Sequence, residues 1–110
     1  MTKPVWFEKA RAVHAEFLRR AKAKGHLTNP LDLPPFFALA IAGEAGELAN
    51  LYKKEWRGDA IDREDIPMEM ADVRIYLEHL ATELGADLDD ACDLKLGIVE
   101  KRLNPPTEAP

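Results

Sequence analysis

Two pairs of carboxylates are the residues of this sequence that could do chemistry. Glu44 and Glu47 lie three residues apart within LAIAGEAGELANL, and Glu69 and Asp72 repeat that spacing within PMEMADVRIYLEHL. Residues three apart share one face of an α-helix, so each pair would present two carboxylates side by side. Neither pair has a Lys or Arg four residues further on. Like charges at this spacing destabilise a helix by about 0.2–0.5 kcal/mol, and partial burial in these apolar segments would add to that cost.

A divalent metal ion is the simplest compensation for such a cluster. Mg²⁺ prefers oxygen ligands in near-octahedral geometry, and it usually keeps water molecules and shares substrate phosphates. Two facing helices that each carry a carboxylate pair can supply a site of that kind, and Asp65 would add a third like charge beside Glu69. Asp and Glu make up 20 of the 110 residues, so solvated acidic faces are an equal alternative on spacing alone.

The composition indicates one globular domain. The chain has 110 residues, 46% hydrophobic and 32% charged, which argues against disorder. Cys92 is the single cysteine, so no disulfide can form within the chain. The longest apolar run, residues 36–42, is too short to span a bilayer, and the charged N-terminal residues do not read as a signal peptide. We therefore expect a cytoplasmic protein without a membrane partner.

The charge is distributed unevenly along the chain. Residues 1–25 carry seven Lys or Arg against two Glu, a net charge of +5, whereas the remaining residues carry eight against eighteen acids, a net charge of −10. Affinity for duplex DNA comes largely from neutralising its phosphates. We therefore expect no duplex nucleic acid partner, and an acidic body that suits divalent cations.

The spacing of apolar residues predicts four helices and no strands. The first helix would bury Phe7, Ala10, either Val13 or His14, Phe17 and Ala21. Proline and glycine positions bound the helices, and the expected ranges are residues 4–24, 35–56, 67–84, and a fourth from a cap at Asp87 or Asp89 to residue 102. The predicted fold is an all-α four-helix bundle, with one domain at residues 1–104 and a flexible C-terminal tail at residues 105–110.

Taken together, these motifs resemble the MazG-like, all-α nucleoside triphosphate pyrophosphohydrolases. The signature of that family is Glu-x-x-Glu, a spacer of about twenty residues, and Glu-x-x-Asp. Here 21 residues separate Glu47 from Glu69. The Leu84-Gly85 dipeptide, an acidic helix start at residues 87–90, and a final Lys and Arg also fit, so the resemblance covers roughly residues 36–103.

The resemblance implies an Mg²⁺-dependent enzyme that cleaves a (d)NTP into the (d)NMP and pyrophosphate, by attack of a metal-activated water on the α-phosphorus. The four carboxylates Glu44, Glu47, Glu69 and Asp72 would hold one or two Mg²⁺ ions, for which Mn²⁺ could substitute. Glu47 would be the catalytic base. The metal ion would neutralise developing charge and lower the pKa of the water.

Substrate contacts are expected from cationic and aromatic residues. Lys95 and Arg102 lie seven residues apart, so they share a helix face and could bind phosphates, as could Lys54. Trp56 would help to line the pocket for the base. Favourable charge at a helix C-terminus and ordinary surface charge are the alternative explanations for these cations.

One departure from the family concerns nucleotide recognition. Relatives often carry an Asn four residues after the Lys, where this chain has Val99. Relatives also form dimers or dimers of dimers, and the apolar bulk of the second and third helices predicts a homo-oligomer here. The competing hypothesis is a non-catalytic metal- or nucleotide-binding helical module with an interaction or regulatory role.

Overall fold

The computed structural model describes residues 3–106, and within them the chain is all-helical. The elements are α1 (Val5–Ala23), a 3₁₀ turn (Pro30–Asp32), α2 (Leu33–Trp56), α3 (Asp65–Leu84) and α4 (Leu88–Leu103). No strand occurs in this described part. The four predicted helices are therefore confirmed, with ends that differ from the expected ones by two residues at most.

The two largest differences, of two residues each, are at the starts of α2, at Leu33 rather than Pro35, and of α3, at Asp65 rather than residue 67. The expected connector before α2 included Pro34, because proline interrupts the interior of a helix. Pro34 and Pro35 instead occupy the first turn of α2, where the backbone N–H groups have no acceptor within the helix and their loss costs nothing. Asn29 starts the preceding 3₁₀ turn, where its side chain accepts a hydrogen bond of 3.0 Å from the Leu31 backbone N–H.

The junction between α3 and α4 follows the expected capping residues. Gly85 ends α3 with a φ of 63° in the left-handed region, which a residue without a Cβ adopts easily. Asp87 caps α4, because its side chain accepts a hydrogen bond of 3.2 Å from the Asp90 backbone N–H. The change of direction between the two helices is thus encoded locally.

The core lies where α2 packs antiparallel against α3. The helix α1 packs along the second half of α3, from Arg74 to Glu83. Phe37 of α2 is 1% exposed and is the largest fully buried side chain. Its ring contacts the rings of Tyr76 and His79 on α3 and of His14 and Phe17 on α1. Of the two alternatives on α1, His14 is therefore the buried residue, and its neighbour Val13 is 60% exposed.

The fourth helix extends away from the other three. It has no buried residue and makes no extensive contact with another element of the described chain. The radius of gyration is 18.4 Å, against about 13 Å for a compact domain of 100 residues. Lys3 contacts Asp87 and Asp89 at the start of α4, and Leu94, Leu96 and Leu103 further along it are exposed.

The structure describes only part of the two ends of the chain. Residues 105 and 106 of the predicted tail have no regular structure. Residues 107–110 of that tail, and residues 1 and 2 of the predicted domain, lie outside the described residues. None of the helices described is both long enough and apolar enough to cross a membrane.

Replacing the central aromatic residue tests this packing. We expect Phe37→Ala to lower the free energy of unfolding by about 3–5 kcal/mol, because it leaves a cavity among three helices. Leu31→Ala, at a site that is 80% exposed, should change it by no more than about 0.5 kcal/mol. Urea denaturation followed by circular dichroism measures both, and equal losses in the two variants would contradict the assigned core.

Candidate metal centre

Three carboxylates from two helices meet on the α2–α3 pair. Glu44, Glu47 and Glu69 each offer an oxygen atom, and these three atoms lie within 4.8 Å of one another. Two features bring them together. The i, i+3 spacing puts Glu44 and Glu47 on one face of α2, and the antiparallel packing sets the first turns of α3, with Glu69, against the middle of α2.

The environment of these carboxylates is only partly hydrated. Glu44 and Glu69 are half-buried, whereas Glu47 is exposed. The Oε2 atoms of Glu44 and Glu69 are both buried and have no hydrogen-bond partner among the described residues. A buried carboxylate oxygen without a partner is costly, because it loses its hydration and gains nothing in return.

The pKa of Glu69 reflects this surplus of negative charge. Burial raises the pKa of the Glu69 carboxyl above its ordinary value, and the neighbouring charges of Glu47, Asp72 and Glu44 raise it further. The folded chain therefore disfavours the ionised form of Glu69, which at neutral pH opposes folding. A cation between the carboxylates would reverse this effect.

The fourth predicted ligand lies beside this group rather than within it. Asp72 is half-buried one turn further along α3, and its charge reaches Glu69. Its oxygens do not belong to the set of three whose mutual distances are within 4.8 Å. Asp65, the first residue of α3, is exposed and also lies outside the set.

No basic side chain neutralises the cluster. Among residues 3–106, no ion pair involves Glu44, Glu47, Glu69 or Asp72. The loop that joins α2 to α3 does hold ion pairs, between Arg63 and Glu55 and between Arg57 and Asp59. The basic residues of the chain are thus placed elsewhere, as the sequence pattern indicated.

The predicted substrate-binding residues lie apart from the three carboxylates. Lys54 is exposed in the last turns of α2, seven residues and so about 10 Å beyond Glu47 along the helix axis. Trp56 ends α2 and is 91% exposed. Lys95 and Arg102 are exposed on α4, which makes no extensive contact with α2 or α3 within the described chain.

Comparison with known proteins adds no family assignment. No family model matches the chain, and a search of curated proteins finds no match either. The resemblance to MazG-like enzymes therefore remains a prediction from the motifs.

The donor set suits a hard divalent cation. Three carboxylates supply oxygen ligands only, which is the preference of Mg²⁺ and Mn²⁺ rather than of metals that favour thiolate or imidazole. Two of the three carboxylates carry a buried oxygen that lacks a partner, and the third, Glu47, is open to water. The residues present fit such an ion, with one side accessible to a ligand from solution.

Removing one carboxylate should separate the metal effect from folding. In the presence of a chelator, we expect Glu69→Gln to be at least as stable as the wild type. The substitution removes a carboxylate whose ionised form is disfavoured by burial and by the neighbouring negative charges. With Mg²⁺ or Mn²⁺ the wild type should gain stability, by about 2.7 kcal/mol at a concentration a hundredfold above Kd, and the variant should not.

Thermal denaturation with and without the metal measures this difference. Asp93→Asn, which changes an exposed acid on α4, is the matched control and should keep the full metal-induced rise in Tm. A rise that survives in Glu69→Gln would contradict the assigned centre.

Proposed function

We propose that the protein is a metal-dependent nucleoside triphosphate pyrophosphohydrolase that converts a (d)NTP to the (d)NMP and pyrophosphate. The observation that carries this proposal is that one carboxylate oxygen from each of Glu44, Glu47 and Glu69 lies within 4.8 Å of the other two. No basic side chain of the described chain forms an ion pair with these residues. The motifs that resemble the MazG-like enzymes support the choice of reaction.

The carboxylates have distinct proposed roles. Glu44 and Glu69 are the principal ligands, because their buried oxygens lack any other partner. Asp72, one turn from Glu69 on α3, would complete the site or hold a second ion. When bound, Mg²⁺ supplies positive charge for the phosphate oxygens and lowers the pKa of a water.

Glu47 is the proposed base, since it is the exposed member of the three. Its carboxylate accepts a proton from water as the water oxygen bonds to the α-phosphorus. The bond between that phosphorus and the bridging oxygen breaks, and pyrophosphate leaves with the electron pair. A free triphosphate would be repelled by these acids, so the metal ion must accompany it.

The remaining substrate contacts are proposed to come from cations and an aromatic ring. Lys54 and Trp56 follow the carboxylates along α2, where Lys54 would bind phosphate and Trp56 the base. Lys95 and Arg102 would bind phosphate from α4. Since α4 does not pack on its own α2–α3 pair, these two side chains are best supplied by another copy of the chain.

The exposed apolar residues of α4 support an assembly. Leu94 and Leu103 are 74% and 75% exposed, and Leu96 and Ile98 are also open to solvent. A helix of 16 residues that buries none of its side chains gains little from tertiary packing, on which helices in proteins depend. We therefore propose a homodimer or a dimer of dimers in which α4 is covered.

Pyrophosphate release is the test of the reaction. We expect release from at least one member of a panel of canonical, deoxy and modified nucleoside triphosphates with Mg²⁺, and none with chelator. Glu47→Gln should lower the rate by at least about a hundredfold, the usual contribution of a general base, while circular dichroism stays unchanged. Glu100→Gln, at an exposed acid on α4, is the control and should remain active.

The competing hypothesis makes a different prediction in the same assay. A non-catalytic metal- or nucleotide-binding module would bind Mg²⁺ or Mn²⁺ but release no pyrophosphate from any nucleotide. That result, with a folded protein that retains its metal-induced rise in Tm, would contradict the enzyme and favour the module.

The oligomeric state can be measured independently of activity. We expect light scattering to give at least twice the 12.3 kDa mass of the chain. Leu96→Gln should shift the protein towards monomer, because it places a polar group in the covered apolar surface, whereas Glu100→Gln should leave the assembly intact. A wild-type monomer at micromolar concentration would contradict the proposed assembly.

A further inference from the structure

A second cluster of ionisable groups lies in the core, where α1 meets α3. His14 of α1 and His79 of α3 are 5% and 7% exposed. The Nε2 atom of His14 lies 2.5 Å from Oε1 of Glu83 on α3, whose side chain is 16% exposed. Within residues 3–106 this is the sole side-chain hydrogen bond between α1 and the α2–α3 pair.

His79 has a different set of neighbours. Its ring centroid lies 4.8 Å from that of His14 on α1, and 5.6 Å from those of both Phe37 on α2 and Tyr76 on α3. The aromatic neighbour that α2 contributes is therefore Phe37, an apolar ring. The cluster contains two imidazoles and one carboxylate.

With two imidazoles and one carboxylate, the interface between α1 and α3 can hold only a limited positive charge. The Glu83 carboxylate already pairs with His14. A proton on His79 would therefore add a positive charge beside His14, for which the described residues show no second anion, in a site that is largely buried. Burial and, to a smaller extent, the charge of His14 together lower the pKa of His79 from 6.5 to about 4.

We propose that His14, His79 and Glu83 form an acid-sensitive latch that holds α1 on the α2–α3 pair and releases it when His79 takes up a proton beside the His14–Glu83 pair. The name latch refers to these three residues. The interface is suited to such a role, because α1 packs on α3 less closely than α2 does. Loss of α1 would leave the α2–α3 contact in place.

The direction of the pH effect follows from the two states of His79. With α1 docked, the pKa of His79 is depressed to about 4, whereas a hydrated His79 would regain a value near 6.5. The released state therefore binds the proton more tightly. Docking is strongest above about pH 6.5 and weakens as the pH falls towards 4, by on the order of a hundredfold in the docking equilibrium.

The chain contains a natural reporter of α1 docking. Trp6 of α1 lies over α3, where its ring centroid is 4.9 Å from the Arg74 guanidinium carbon. The other tryptophan, Trp56, is 91% exposed and can be removed as Trp56→Phe. In that background we would follow the emission and acrylamide quenching of Trp6 from pH 7.5 to 4.0, and record far-ultraviolet circular dichroism in parallel.

Two variants test the latch. His79→Phe keeps an aromatic ring of similar size but cannot take up a proton, so Trp6 should stay protected to a lower pH than in the parent. His26→Gln is the matched control, because His26 is exposed and its loss should leave the pH profile unchanged. If His79→Phe does not fold at neutral pH, His79→Gln replaces it with the same expected result.

The outcomes are distinct. Exposure of Trp6 between about pH 6.5 and 4 in the parent, with most of the helical signal retained and with the transition shifted by the His79 variant, would support the latch. An identical profile in the parent and the His79 variant would overturn it. Simultaneous loss of Trp6 protection and of all helical signal would also overturn it, since the whole chain would then unfold without a separate release of α1.

Discussion

The antiparallel packing of α2 against α3 is the interaction on which the rest of the structure depends. It buries Phe37, which is 1% exposed, and a buried Phe contributes about 1.5–3 kcal/mol. The same packing forces Glu44 and Glu47 to face Glu69. A like-charge pair on one helix costs only about 0.2–0.5 kcal/mol, and the buried oxygens of Glu44 and Glu69 add a desolvation cost. The apolar contact must outweigh both costs before any cation binds.

Two clusters of ionisable groups lie along α3, one facing α2 and the other facing α1, and their buried charge is compensated differently. The carboxylates Glu44 and Glu69 each carry a buried oxygen without a hydrogen-bond partner in the described chain, and a cation from outside the chain would compensate their charge. At the other cluster, His14 has Glu83 as its partner, and the chain compensates one positive charge but not two. The first cluster suits a ligand cation, and the second responds to protons.

The sequence was informative where the interactions are local. Gly85, the Asp87 cap and the i, i+3 carboxylate pairs act within one or two turns, so spacing alone predicted them. Among the features that depend on contacts between helices, the meeting of Glu69 with Glu44 and Glu47 was predicted, whereas others were not. The spacing does not show that Glu69 joins the set of three carboxylates while Asp72 lies beside it. Nor does it pair His14 with residues some seventy positions away. The extension of α4 away from the other helices reflects contacts that the single chain does not make. The predicted start of α2 was two residues too late, because proline interrupts a helix interior but is tolerated in the first turn.

The central claim is that Glu44, Glu47 and Glu69 hold a divalent cation. Crystals of the protein grown with Mn²⁺, measured at a wavelength where manganese scatters anomalously, test this claim directly. The account predicts an anomalous peak among the three carboxylates at about 2.1–2.2 Å from their oxygens, near the distances of other divalent ions with oxygen ligands, and no such peak in Glu69→Gln. Crystals in which manganese is absent from this cluster, or bound only elsewhere, would contradict the account.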